Sequence, residues 1–171
     1  MNPKLLLTII CLGIATAGTQ AMEMPQGPFK SDLKLAELAS LPDGLIVVHT
    51  QNTAETGPMG PTGLNVHFST TVTSEVGPVT IVEFGCLVKE QGQWVYGTST
   101  SEPHSDSDFA ELYGCPGAEL KPGEGYTDPW NTFGGFRAPG QVVRWYFIGI
   151  DAEGNRIKGE ADVEFLSDLG C

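Results

Sequence analysis

The ten residues from Arg156 to Phe165 alternate without a break, and no other stretch of the chain restricts its fold as tightly. Arg156, Lys158, Glu160, Asp162 and Glu164 fall on one side; Ile157, Gly159, Ala161, Val163 and Phe165 fall on the other. A period of two belongs to a β-strand with one wet face and one dry face. Before it, Val142-Val-Arg-Trp-Tyr-Phe-Ile-Gly-Ile150 is apolar on nearly both faces, as a central strand requires. The link Asp151-Ala-Glu-Gly-Asn155 makes the two a hairpin. A two-residue loop at Glu153-Gly154 would set Arg144 opposite Val163. A three-residue loop, with Gly154 left-handed and a G1 bulge, pairs Asp151 with Asn155 instead. Val143 then faces Val163, Trp145 faces Ala161, Phe147 faces Gly159, and Arg144 meets Asp162 across the wet face. A one-residue slip turns every side chain over, so the bulged register, which keeps the apolar sets together, is the one expected. It predicts Val143, Trp145 and Phe147 inside with Val163 and Phe165. Tyr146, Ile148 and Ile150 are left on a second face that must be covered or serve as a contact surface.

The rest of the chain repeats this theme more weakly. Leu45 to His49 is an apolar strand after the Asp43-Gly44 turn. Leu64 to Val72 alternates, with His67 on the side away from Leu64, Val66 and Phe68. Val79 to Val88 leads through Lys89-Glu-Gln-Gly-Gln93 into Trp94-Val-Tyr96, a second hairpin whose turn is read as a copy of the C-terminal one, with Gly92 placed as Gly154 is. Trp94 and Tyr96 are assigned to cross-strand or core packing. Leu33, Leu35, Leu38 and Leu41 predict one short helix ending before Pro42. The Met-Gly-Pro-Thr-Gly region at 55–63 is collagen-like over too few triplets to be anything but a turn-rich loop. About seven antiparallel strands, frequent turn signals and a single short helix indicate an all-β β-sandwich.

The amino terminus carries Lys4 and then an apolar run from Leu5 to Ile14, with small residues for cleavage at Thr19-Gln-Ala21 or Ala15-Thr-Ala17, the pattern of a signal peptide, taken over residues 1–21. The expected organisation is that leader, an N-terminal segment over 22–42 with the short helix, and a β-sandwich domain over 43–171. The protein is expected to be secreted or to reside in the periplasm or cell envelope, with no membrane span. The whole chain has 9 Lys and Arg against 21 Asp and Glu, a formal net charge of −12. That balance argues against nucleic acid and anionic membranes as partners. Export makes a disulfide plausible, and Cys86 is paired with Cys115. Cys171, at the end of the chain, is available for an intermolecular disulfide.

Pro139-Gly140 followed by Val143, Trp145, Phe147, Gly149, Asp151 and Gly154 resembles the spacing of fibronectin type III and related immunoglobulin-like domains. These carry a Pro-Gly corner, a strand of alternating apolar residues and an acidic residue or Asn before a Gly turn. Leu120-Lys-Pro-Gly-Glu-Gly-Tyr126 resembles their Leu-x-Pro-Gly-x-x-Tyr corner. The resemblance covers roughly the last thirty residues and implies an immunoglobulin-like sandwich that acts as a non-catalytic interaction module.

No motif in the chain carries chemistry outright. Asp151 to Asn155 shares oxygen spacing with the start of a calcium loop but has Arg156 where that loop needs Gly, so it is assigned to the turn. Ser105-Asp-Ser-Asp108 is read as an acidic solvated loop. His49, His67 and His104 lack metal-ligand spacing, so no metal or cofactor is assigned. No Gly-x-Ser-x-Gly elbow or phosphate loop is present, and no catalytic residue is assigned. Tyr126-Thr-Asp-Pro-Trp-Asn-Thr-Phe-Gly-Gly-Phe136 stands out, with four aromatics on a Pro/Gly-rich segment read as a loop. Tyr126, Trp130, Phe133 and Phe136, with Tyr146, are the candidate contacts for a protein or glycan partner. The expected function is a non-catalytic binding module. The alternatives are a small exported hydrolase using acidic residues or His104, and a subunit assembling through the Tyr146 face or Cys171.

Overall fold

A computed structural model describes residues 35–56, 64–97, 103–136 and 141–165, with residues 51–56, 64–66, 134–136 and 165 described for their backbone only. The signal-peptide segment, residues 57–63 of the collagen-like region, the Pro139-Gly140 corner and Cys171 lie outside the described residues; residues 55 and 56 end a strand and not the expected loop. In chain order the elements are helix α1 (Leu35–Ser40), strands β1 (Leu45–Thr56), β2 (Leu64–Ser74), β3 (Val79–Glu90), β4 (Gln93–Tyr96) and β5 (His104–Ser105), helix α2 (Asp106–Leu112), a 3-10 turn (Pro116–Ala118), and strands β6 (Glu119–Leu120), β7 (Gly125–Phe136), β8 (Gln141–Asp151) and β9 (Arg156–Phe165). The protein is all-β, built from antiparallel strands in two sheets. One has the order β1-β2-β7; the other has the order β4-β3-β8-β9. β8 occupies one edge of β3 from Val79 to Val88, so β4, β5 and β6 succeed one another along the opposite edge.

The C-terminal hairpin has the bulged register. Val143 faces Val163, Trp145 faces Ala161, Phe147 faces Gly159 and Arg144 faces Asp162. Asp151 N–H donates to Asn155 O at 3.0 Å, Gly154 N–H returns to Asp151 O at 3.0 Å, and Gly154 has φ +85°. The Asp151 carboxylate accepts from the N–H of Glu153 and of Asn155 at 3.0 and 2.7 Å and from Asn155 Nδ2 at 3.1 Å. Its oxygens are spent on the turn. The second hairpin differs from the expected copy. Glu90 pairs with Gln93, and both Gln91 (φ 51°) and Gly92 (φ 83°) are left-handed. This is a two-residue type I′ turn, whose twist matches that of the strands it joins.

Both sheets turn one face to a shared core. Phe68 and Val72 from β2 and Phe133 from β7 meet Ile81 and Phe84 from β3, Val143, Trp145 and Phe147 from β8, and Val163 from β9. Phe84 stacks on Phe147 at 5.4 Å and on His104 at 4.6 Å, and takes Phe109 and Tyr113 edge-on. The second face of the β3–β8 pair is covered from within the chain. Leu38 of α1, flanked by Leu35 and Leu41, packs with Leu87, Tyr146 and Ile148, and Trp94 and Tyr96 close the margin.

Three expectations fail here. Tyr146 is wholly buried beneath α1 and donates its hydroxyl to Glu83 Oε1 at 2.9 Å, so it is a core residue and not a partner contact. That also removes Tyr146 and Ile148 as an assembly surface. The acidic loop at Ser105–Asp108 is the start of a second helix. Ser105 Oγ accepts the Asp108 N–H at 3.3 Å while Asp108 Oδ2 accepts the Ser105 N–H at 2.7 Å, a reciprocal cap that satisfies two otherwise orphan donors. Finally, no disulfide joins Cys86 to Cys115, although both are buried. Cys115 leads through the 3-10 turn into β6, which pairs with the Val79 end of β3. Cys86 lies seven residues further along β3 than Val79, opposite Trp145 of β8.

Candidate binding face

The segment expected to be an aromatic loop is strand β7, paired with β2 over most of its length. Its side chains alternate until Asp128 and then break step. Thr70 of β2 is opposite Asp128 and Phe68 is opposite Asn131, so the two residues Pro129 and Trp130 answer the single residue Ser69. This is a β-bulge, and a bulge re-aims the side chains beside it. Asp128 and Asn131 both point inward and are buried, whereas Pro129 and Trp130 both point out. Proline suits the position because it has no N–H to offer the ladder.

Side chains hold the bulge from below. Asp128 Oδ1 accepts the Trp130 N–H at 2.9 Å. Asn131 Nδ2 donates to Thr70 Oγ1 at 2.8 Å, and Thr70 Oγ1 lies 2.9 Å from His49 Nδ1. His49 Nε2 lies 3.2 Å from Ala161 O. A carbonyl only accepts, so Nε2 carries the proton, Nδ1 accepts from Thr70, and the donors run in one direction from β7 through β2 and β1 to β9. That assignment requires a neutral His49, and burial indeed lowers its pKa, against the opposing pull of Ala161 O and Asp162. Burial likewise raises the pKa of Asp128, offset in part by the Trp130 N–H and by His104.

Above the bulge lies the outer face of the β1-β2-β7 sheet. Trp130 is 59% exposed and makes a T-shaped contact with the His67 ring, centroids 6.2 Å apart. Thr132 donates its hydroxyl to Trp130 O at 3.0 Å, so at its 2.8 Å contact with His67 it accepts from Nδ1–H, which leaves His67 Nε2 as an acceptor. Thr71 and Thr127 share a hydrogen bond of 2.8 Å across the strands. Ser69 and Thr73 continue the row, and Ile46 and Val48 of β1 stand exposed at its margin. Among the described side chains of this face there is no Asp, Glu, Lys or Arg. The outer face of the other sheet contrasts with it. There Arg144 grips Asp162 through two bonds of 2.6 and 3.0 Å, lies 4.5 Å from the Trp94 ring, and joins Glu160 and Lys158 in a charged row.

Of the four expected contact residues whose side chains are described, Trp130 alone is exposed. Phe133 is buried in the core and is corrected to a packing residue. Tyr146 is corrected as above. Tyr126 is half-buried against the core, its hydroxyl donating to Glu124 at 3.0 Å. The Phe136 side chain lies outside those described. Sequence reasoning overlooked the Thr and Ser row as a surface in its own right, although its signal, the alternation from Leu64 to Val72, had marked the strand. The hydrolase candidates are engaged structurally: Asp108 caps α2, and His104 stacks on Phe84 with Nδ1 3.9 Å from Asp108. Among the described residues no group of three or more His, Cys, Asp or Glu could hold a metal, and no helix is long and apolar enough to cross a membrane.

No protein-family model, curated protein or solved structure matches this chain.

Proposed function

We propose that this chain is an exported, non-catalytic binding module with an immunoglobulin-like sandwich of the fibronectin type III kind, and that its contact surface is the outer face of the β1-β2-β7 sheet centred on Trp130. The fold part of the reading rests on strand order. In the immunoglobulin pattern, strands A, B and E share one sheet, and C, F and G share the other with C′ beside C. With β1, β2 and β7 as A, B and E, and β3, β4, β8 and β9 as C, C′, F and G, the orders β1-β2-β7 and β4-β3-β8-β9 agree with that pattern. The segment from β5 to β6, with α2 between, stands where a fourth strand would connect C′ to E. Export rests on the Lys4 to Ala21 leader pattern and places the protein in the cell envelope or outside the cell.

The observation that carries the function is the exposure of Trp130. A strand that buries Tyr126 in part and Phe133 in full spends a bulge, a proline and a buried carboxylate to turn its largest aromatic outward. Exposed Trp at a shaped site is the residue type that most often anchors a partner, protein or glycan. Quenching by acrylamide, a neutral probe indifferent to the acidic surface, tests the reading. Trp94 is half-buried and Trp145 buried, so a readily quenched component is expected in the wild type and should disappear in Trp130→Phe. Emission equally protected in both proteins would sink the proposal.

A further inference from the structure

We infer that the Trp130 face takes a neutral polysaccharide, with one sugar ring stacked on the indole and its hydroxyls bonded to Ser69, His67 and Thr132. The inference deepens the binding-module reading and rests on it. Charge decides the class of ligand. Phosphate backbones and anionic polysaccharides need Lys or Arg, and the face has neither among its described side chains. A basic peptide would be drawn to the acidic surface elsewhere on a chain of net charge −12. A second copy brings the same negative charge, and a face made mainly of hydroxyls is more polar than homodimer interfaces, which are enriched in apolar area.

What the face offers is matched by a sugar. A pyranose ring has a C–H face that packs on an aromatic plane and a rim of hydroxyls that both donate and accept. Ser69 and Thr132, whose hydroxyl hydrogens go to Thr50 O and Trp130 O, and His67 Nε2 each present an acceptor to the sugar hydroxyls. The platform is also preorganised. Pro129 fixes one backbone angle, Asp128 Oδ1 holds the Trp130 N–H, and the His67 ring makes a T-shaped contact with the indole, so little freedom is lost on binding. Asp128 is then a positioning residue that acts through Trp130.

Affinity electrophoresis in gels cast with soluble neutral polysaccharides (β-glucan, xylan, galactomannan) and, separately, with alginate and heparin tests the inference. The expected result is retardation by at least one neutral polymer and by neither anionic one, weakened about tenfold or more in Trp130→Ala and several-fold in Ser69→Ala, while Trp130→Tyr keeps part of the affinity. Circular dichroism of each variant checks that it is folded. Two results overturn the inference. If no neutral polymer retards a protein whose Trp130 is still open to acrylamide, the ligand class is wrong and the binding-module reading survives. If sedimentation velocity finds a dimer that Trp130→Ala dissociates, the face belongs to a second copy.

Discussion

Asp128 is the residue on which the candidate site turns. It is buried, it carries a carboxylate, and its one described hydrogen bond goes to the backbone of Trp130. Burial raises its pKa, so the folded state holds the proton more tightly than the unfolded chain does. The ionised form therefore costs stability at neutral pH, and that cost is relieved as pH falls toward the carboxylate range. Asp128→Asn keeps an acceptor for the Trp130 N–H and removes the buried charge, so its melting temperature at pH 7 should exceed that of the wild type. Asp128→Ala leaves the N–H unsatisfied and should lose about 1–3 kcal/mol in urea unfolding, with Trp130 emission altered. The histidines act in the opposite sense. Burial holds His49 and His104 below the usual value of 6.5, so on acidification the unfolded chain takes up their protons first. Stability should fall as pH drops from 6.5 through the lowered folded values, and the slope measured in urea should be shallower in His104→Asn.

The elements were legible where their signal was local. Both hairpins stand where alternation and turn residues put them, and the C-terminal register was readable because only one pairing kept Val143, Trp145 and Phe147 with Val163 while giving Arg144 an acidic partner. The turn at Gln91-Gly92 was harder to read, because Lys89 to Gln93 accommodates either a two- or a three-residue loop. Helix α2 was hidden by its short length and polar start, with Phe109 as its one buried residue. Helix α1 was visible in its leucines, but its task was not. It shields Tyr146 and Ile148, and Leu38→Ala should cost about 2–5 kcal/mol by uncovering them. Chemical denaturation measures that loss, and unchanged stability would mean that α1 does not cover the sheet.

At the scale of the whole molecule the two outer faces differ in composition. The β8–β9 side carries paired charges and a covering helix, while the described side chains of the β1-β2-β7 side are hydroxyls, Ile46, Val48, Pro129, the His67 ring and one indole. Local periodicity could tell which side chains share a face, because pleat alternation is a property of a single strand. It therefore determined the all-β class, the C-terminal register, the turn role of Asp151 and the placing of His67 on a solvated face. It could not tell what lies over a face or where one strand slips against another, since those depend on residues distant in sequence. Only the tertiary structure buried Tyr146 beneath α1, left Cys86 and Cys115 without the expected bridge, and set two residues of β7 against Ser69. That last mismatch turned Phe133 inward and Trp130 out, because a bulge shifts the alternation of its own strand only in relation to the neighbour it pairs with.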